Sequence, residues 1–300
     1  DGSAWMQTVR AGSKEIEKKT QGRVKFKFYP GGVMGDDQSV LRKIRIGQLH
    51  GGLVSGADIV KKNTDYQVYG LLLKYRSQDE IDHIRKVYDP LVQKGFEQDG
   101  FIALGLAEAG FAYIMSSNAP ITSVDQLHKQ KVWVPANDAS SMEAISAFGV
   151  APIPLPFGDV LAGLQTGMIN TVALPPIGAI ALQWHTQIKY VTELPLLYSM
   201  GVFAFHAKTF KKIRAEDQAI VREVMARVFN EIDSENKKSN REALQVMKEL
   251  GITFVIPTAE EISEWKKLSD AAIKRMEQAG LVDNKTISNV DKMLEEYRSR

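Results

Sequence analysis

Cysteine is absent from the 300-residue sequence, which excludes disulfides, thiolate metal sites and thiol nucleophiles. Long apolar runs are absent too, since no stretch reaches the ~18–20 residues needed to span a bilayer. No signal peptide is visible; the sequence opens at Asp1-Gly2-Ser3 without methionine and reads as a processed or trimmed product. Neither sign of charge dominates. With 38 basic and 36 acidic residues the formal net charge is +2, so no global field points to nucleic acid. The charges are interspersed, as in Lys14-Glu15-Ile16-Glu17-Lys18-Lys19, the pattern of a solvated helix face.

Catalytic and cofactor strings are missing as well. There is no phosphate-binding loop ending in Lys-Ser/Thr and no dinucleotide glycine fingerprint. The five histidines, His50, His83, His128, His185 and His206, are dispersed and form no His-Glu-x-x-His pair. They read as packed or surface residues rather than metal ligands. Gly52-Leu53-Val54-Ser55-Gly56 lacks the glycine two residues before serine that a nucleophile elbow needs. Asp36-Asp37 reads as a helix cap and dipole partner. The expectation is a protein that is not an enzyme and holds no cofactor or metal.

What is present is an ordinary globular composition, 44% hydrophobic and 25% charged, in a chain long enough for two lobes. Ser3 with Trp5, Met6, Val9 and Ile16 predicts an opening amphipathic helix. Val24 to Tyr29 alternates with period two and predicts a strand, broken by Pro30-Gly31-Gly32. Asp36 or Asp37 then caps a helix through Ile46, ended by Gly47, before a short strand at Gly52–Val54. A helix at Gln78–Lys94 and strands at Phe101–Leu106, Ala112–Met115 and Lys131–Val134 follow. Ala215 to about Leu250 predicts one long helix, and Glu260 to Gln278 another. Helices alternating with strands indicate α/β architecture with largely parallel sheets.

One segment has an internal echo. Val40-Leu41-x-x-Ile44-x-x-Gly47-x-Leu49-His50 reappears as Val160-Leu161-x-x-Leu164-x-x-Gly167-x-Ile169-Asn170. Each copy is a helix, a glycine stop and an apolar strand entry. Copies about 120 residues apart are too distant for a solenoid and fit two similar lobes. Ligands of such sheets bind beside the carboxyl ends of strands.

A longer series carries a family resemblance. Tyr29-Pro30-Gly31-Gly32, Met34-Gly35-Asp36-Asp37 and Ile46-Gly47-Gln48-Leu49 come first. Pro120-Ile121, Asp125-Gln126-Leu127, Lys131-Val132-Trp133-Val134-Pro135, Gly149 through Pro154 and Leu164-Gln165-Thr166-Gly167-Met168-Ile169 follow. In this order the chain resembles the DctP-type solute-binding proteins of TRAP (tripartite ATP-independent periplasmic) transporters. The resemblance implies a two-lobed periplasmic binding protein fold of type II, with a long helix spanning both lobes and a strand ahead of the first helix. Lobe I would hold 1–110 and about 201–240, and lobe II 111–200 and about 241–300. It further implies a periplasmic or lipoprotein-anchored receptor that captures a small organic ligand in an interlobe cleft. The receptor would deliver that ligand to TRAP membrane subunits driven by an ion gradient.

The resemblance also assigns the site. Typical members hold an organic acid by an arginine in the segment reading Lys131 to Pro135, where this chain has Trp133. A second arginine position falls on Tyr113, and an asparagine position on Leu174. Three polar anchors have become aromatic or aliphatic, which points to a more hydrophobic ligand, such as an aromatic or longer-chain acid. This looks like a subgroup in which a tetratricopeptide-repeat helper accompanies the receptor. Expected ligand-binding residues are Trp5, Ser55, Gly56, Ala57, Tyr113, Trp133, Asn137, Leu174, Pro175 and Tyr198. Asn137 and Asp138 read equally as caps for the next helix, and Asp138 alone as a weak cation ligand. The rival readings are a same-fold receptor for signalling or another uptake system that binds an ordinary small carboxylate, an enzyme, and a scaffold.

Overall fold

The computed structural model describes residues 4–55, 59, 64–136 and 138–299. Helix α1 (Ala4–Lys19) turns Val9 and Ile16 inward and its charged residues outward. The expected cap Ser3 lies outside the described residues. Helix α2 (Asp37–Arg45) starts at Asp36, whose carboxylate accepts the Ser39 amide at 2.8 Å, and β1 (Gly51–Val54) follows. Next come α3 (Gln78–Gln98), β2 (Phe101–Ser116), α4 (Val124–Leu127), β3 (Trp133–Pro135) and α5 (Ala139–Ala147). Then β4 (Ile153–Leu155), α6 (Val160–Thr166), β5 (Thr171–Leu174) and α7 (Pro176–Ala181) alternate. The chain ends through β6 (Tyr190–Thr192), β7 (Leu197–His206), α8 (Ala207–Phe210), α9 (Ala215–Glu249), β8 (Thr253–Val255), α10 (Ala259–Gln278) and α11 (Asn284–Arg298). None of the described helices is long and apolar enough to cross a membrane.

Packing divides the chain into two units. The first holds Asp1–Asn63, Asp89–Glu108 and Met200–Lys237; the second holds Thr64–Tyr88, Ala109–Ser199 and Lys238–Arg300. Residues 64–88, which the sequence places with lobe I, thus cluster in the second unit. Their partners explain it: Leu73 donates its amide to Leu196 O, Ser269 donates to Leu72 O, and Arg298 pairs with Glu80.

The first unit's sheet has β7 between β1 and β2. Its core joins Val9 and Ile16 of α1 to Leu104 of β2, Phe203 of β7 and Val224, Val228 and Phe229 of α9. Arg23 grips the buried Asp217 through two hydrogen bonds, of 2.9 and 2.8 Å. That pairing holds the Asp217 carboxyl below the usual range. In the second unit β2 pairs antiparallel with β5 and β6, β6 pairs parallel with β8, and β3 with β4 forms a separate parallel ribbon.

The echo is structural. Gly47 and Gly167 follow α2 and α6 with φ of 80° and 70°, left-handed values that glycine adopts without steric cost. The strands that follow occupy 51–54 in one unit and 171–174 in the other.

Several expectations need correction. The sheets are mixed, with antiparallel pairing at β1–β7, β2–β5 and β2–β6. Helix–strand alternation suggests parallel crossovers, but the long strands β2 and β7 serve both units and return antiparallel to their neighbours. The two strands expected within 101–115 are one, running unbroken through Gly110, whose φ of +107° suits glycine. Residues 25–29 form no ladder among the described residues. Their alternation still operates, since Phe26 and Phe28 pack on the first core while Lys25 and Lys27 face water.

Candidate functional site

Parallel pairing of β3 with β4 sets Trp133 beside Ile153 and Pro135 beside Leu155. In that register the Trp133 indole N–H donates to Leu155 O at 2.9 Å. The ring is only 4% exposed. It meets Trp184 edge-on at 5.2 Å and Phe157 edge-on at 5.0 Å, and Phe157 lies nearly parallel to Trp184 at 6.1 Å. The Trp133–Trp184 contact, between two buried rings, adds about 0.5–1.5 kcal/mol beyond the area buried. Trp184 is fully buried, whereas Phe157 is 54% exposed, so Phe157 is the face this cluster shows to solvent.

Leu174 and Tyr113 join the same cluster. They are direct cross-strand partners on β5 and β2, and Tyr113, half-buried, packs on the core that holds Trp133, Leu174 and Trp184. Burial first, and then the nearby Glu193 charge, pushes the Tyr113 hydroxyl above its usual pKa. It therefore stays a protonated donor at neutral pH. Pro175, buried, precedes α7 in extended conformation. Trp133, Tyr113, Leu174 and Pro175 are thus brought together in the second unit.

The remaining predicted residues lie elsewhere. Tyr198, also in the second unit, is buried against Phe111, and its hydroxyl accepts from Gln78 at 3.0 Å. Asp138 caps α5, its carboxylate accepting from the Ser141 amide and hydroxyl. In the first unit, half-buried Trp5 donates its indole N–H to Asn236 Oδ1 at 2.9 Å. The Ser55 amide there donates to Asp37 Oδ2 at 2.8 Å. Burial, with Asp36 adding repulsion, raises the Asp37 carboxyl despite that bond. Gly56, Ala57 and Asn137 lie outside the described residues.

Against this geometry, residues 1–279 match the model of the bacterial extracellular solute-binding proteins, family 7 (DctP). The chain belongs to that family. It is 24% identical over 255 residues to the C4-dicarboxylate-binding periplasmic protein DctP of Rhodobacter capsulatus, covering 84% of this chain and 76% of that protein. The same fold appears in a TRAP periplasmic solute-binding protein from Sulfitobacter with bound β-D-galacturonate, with TM-score 0.84, 19% identity and coverage of 96% and 94%. A Bordetella pertussis extracytoplasmic solute receptor binding pyroglutamic acid gives TM-score 0.86, 15% identity and coverage of 99% and 96%.

For a family 7 solute-binding protein, the charge of the second unit is informative. Between Ala109 and Ser199 there is no arginine, and its lysines are Lys129, Lys131 and Lys189. All three are exposed, and Lys131 donates to Gly167 O. No guanidinium from this segment can clamp a carboxylate in two parallel hydrogen bonds. The sequence signal was legible: ninety-odd residues without arginine around Trp133. Phe157 was missed. Its signal is a lone aromatic between Pro154-Leu155-Pro156 and Gly158, a place where the chain leaves a strand and an apolar ring has little core to enter.

Proposed function

We propose that this chain is the extracytoplasmic solute-binding subunit of a TRAP transporter whose solute is an organic acid with an aromatic ring or a longer aliphatic chain. The observation that carries the reading is the Trp133–Phe157–Trp184 cluster standing where the family resemblance puts a cationic anchor, in a segment without arginine. A carboxylate buried there without a cationic partner costs several kcal/mol, while apolar ligand surface gains roughly 25 cal/mol per Å². The acid group is held by neutral donors, of which the Tyr113 hydroxyl is one. Trp5, Ser55, Gly56, Ala57, Tyr113, Trp133, Asn137, Leu174, Pro175 and Tyr198 are the residues proposed to supply or support the ligand contacts. Delivery is to TRAP membrane subunits, from a receptor either free in the periplasm or anchored as a lipoprotein, and a tetratricopeptide-repeat helper is the partner that the subgroup resemblance suggests.

A second reading has support in the solved relatives, since galacturonate and pyroglutamate are small polar acids. Calorimetry separates the two. Phenylacetate or octanoate binding in the micromolar range, with succinate and malate silent, supports the apolar reading. Micromolar binding of succinate or malate overturns it.

A further inference from the structure

Helix α9 carries Asp233, Asn236 and Asn240 at spacings of three and four, which places them on one face. That face meets β2 where its backbone passes from Glu108 to Gly110. Asp233 accepts the Glu108 amide at 2.9 Å, Asn236 donates to Glu108 O at 2.6 Å, and Asn240 donates to Ala109 O at 2.7 Å. Each asparagine thereby spends its amide nitrogen on a strand carbonyl, which fixes the rotamer and leaves the amide oxygen aimed at one place. For Asn236 that place is the Trp5 indole N–H, and for Asn240 it is the Ile177 amide, at 3.1 Å. Ile177 carries the first free N–H after Pro175-Pro176, directly beyond Leu174. Asn236 is only 3% exposed, so its hydrogen bonds cannot be replaced by water without rearrangement. The approach of Asn240 also constrains β2. A Cβ at position 110 would stand 2.5 Å from Asn240 Nδ2, and the backbone there has φ +107°.

We infer that Asn236 and Asn240 are positioning residues for ligand capture, one locking the indole of Trp5 and the other the backbone at Pro175–Ile177. The inference rests on the reading that Trp5 and the Leu174–Pro175 segment belong to the binding surface. Each asparagine acts within its own unit, and both use the same device: a strand carbonyl sets the amide, and the amide sets the binding element. An isosteric apolar residue keeps the volume and loses the direction.

The test is a double-mutant cycle read by calorimetry, using the tightest binder among phenylacetate, octanoate, D-glucuronate and succinate as probe. Asn236→Leu is expected to weaken that probe about tenfold, the scale of one lost buried hydrogen bond. In a Trp5→Phe background, where no indole N–H remains to be held, the same change is expected to cost less than about twofold. Asn240→Leu should weaken the probe in both backgrounds alike, because its partner is the Ile177 backbone. An equal loss from Asn236→Leu in both backgrounds, or no loss in either, overturns the positioning role. Unchanged affinity in Trp5→Ala overturns the inference by a different route, since it removes Trp5 from the binding surface. The indole N–H resonance of Trp5 supplies a ligand-free check: it should exchange faster in Asn236→Leu and stay protected in Asn240→Leu.

Discussion

Trp133 and Phe157 touch, yet they answer to different physics. Trp133 is buried and hydrogen-bonded, so Trp133→Ala removes a large core ring and is expected to cost about 3–5 kcal/mol in chemical denaturation. Phe157 is mostly exposed, and Phe157→Ala should change stability by less than about 1 kcal/mol while weakening an apolar acid roughly tenfold. A stability loss as large as that of Trp133→Ala would show that Phe157 is core. Trp133→Arg separates charge from packing. It places a guanidinium where Leu155 O and two aromatic rings now stand, so it should weaken phenylacetate and introduce measurable succinate binding. Unaltered selectivity would remove Trp133 from the anchor position. The family resemblance is what singled out this position in the sequence. What the indole touches was not, because Leu155 and Trp184 come from elements that only folding brings to it.

Among the elements, α11 was invisible in sequence and is firmly held in the structure. Its buried positions, Thr286, Val290 and Leu294, are sparse among charges, so periodicity gave a weak signal. The tie is Arg298, which donates to both oxygens of Glu80 at 2.7 and 2.9 Å and to Lys74 O. Glu80 is 4% exposed and also accepts the Arg76 amide. Burial alone would raise its carboxyl, but the Arg298 hydrogen bonds and the Arg76 amide outweigh it and hold it below the usual glutamate range. A lowered folded-state pKa stabilises the fold above the unfolded value, and that contribution fades as pH falls through the folded value. Thermal stability should therefore drop as pH falls from about 5 to 3, and Glu80→Gln should flatten that part of the curve. Arg298→Ala leaves a buried carboxylate with one amide partner. The expected loss is on the order of 2 kcal/mol in urea denaturation, reduced from the fully buried case because Arg298 is partly solvated. The glycine-stopped units at Gly47 and Gly167 were read correctly because a left-handed C-terminus is a local requirement. The single strand β2 was misread as two, because its ladder runs unbroken through Gly110 at φ +107°, a continuity that comes from pairing with neighbouring strands.

At the scale of the whole molecule, family membership rests on a match over residues 1–279, and the proposed apolar acid is what would set this chain apart from its relatives. Charge balance, the absence of cysteine and the absence of catalytic pairs restricted the function class, and ordered short segments supplied the family. A receptor that binds an apolar acid should show a negative heat-capacity change on binding. Its melting temperature should also rise with ligand, by the equivalent of about 2.7 kcal/mol at a hundredfold excess over Kd. Octanoate or phenylacetate should produce that rise and succinate should not, in differential scanning calorimetry. The most direct test of the central claim is native mass spectrometry of the purified protein, with identification of the small molecule it carries. An aromatic or longer-chain aliphatic acid is the predicted passenger; a dicarboxylate or a sugar acid would contradict the account.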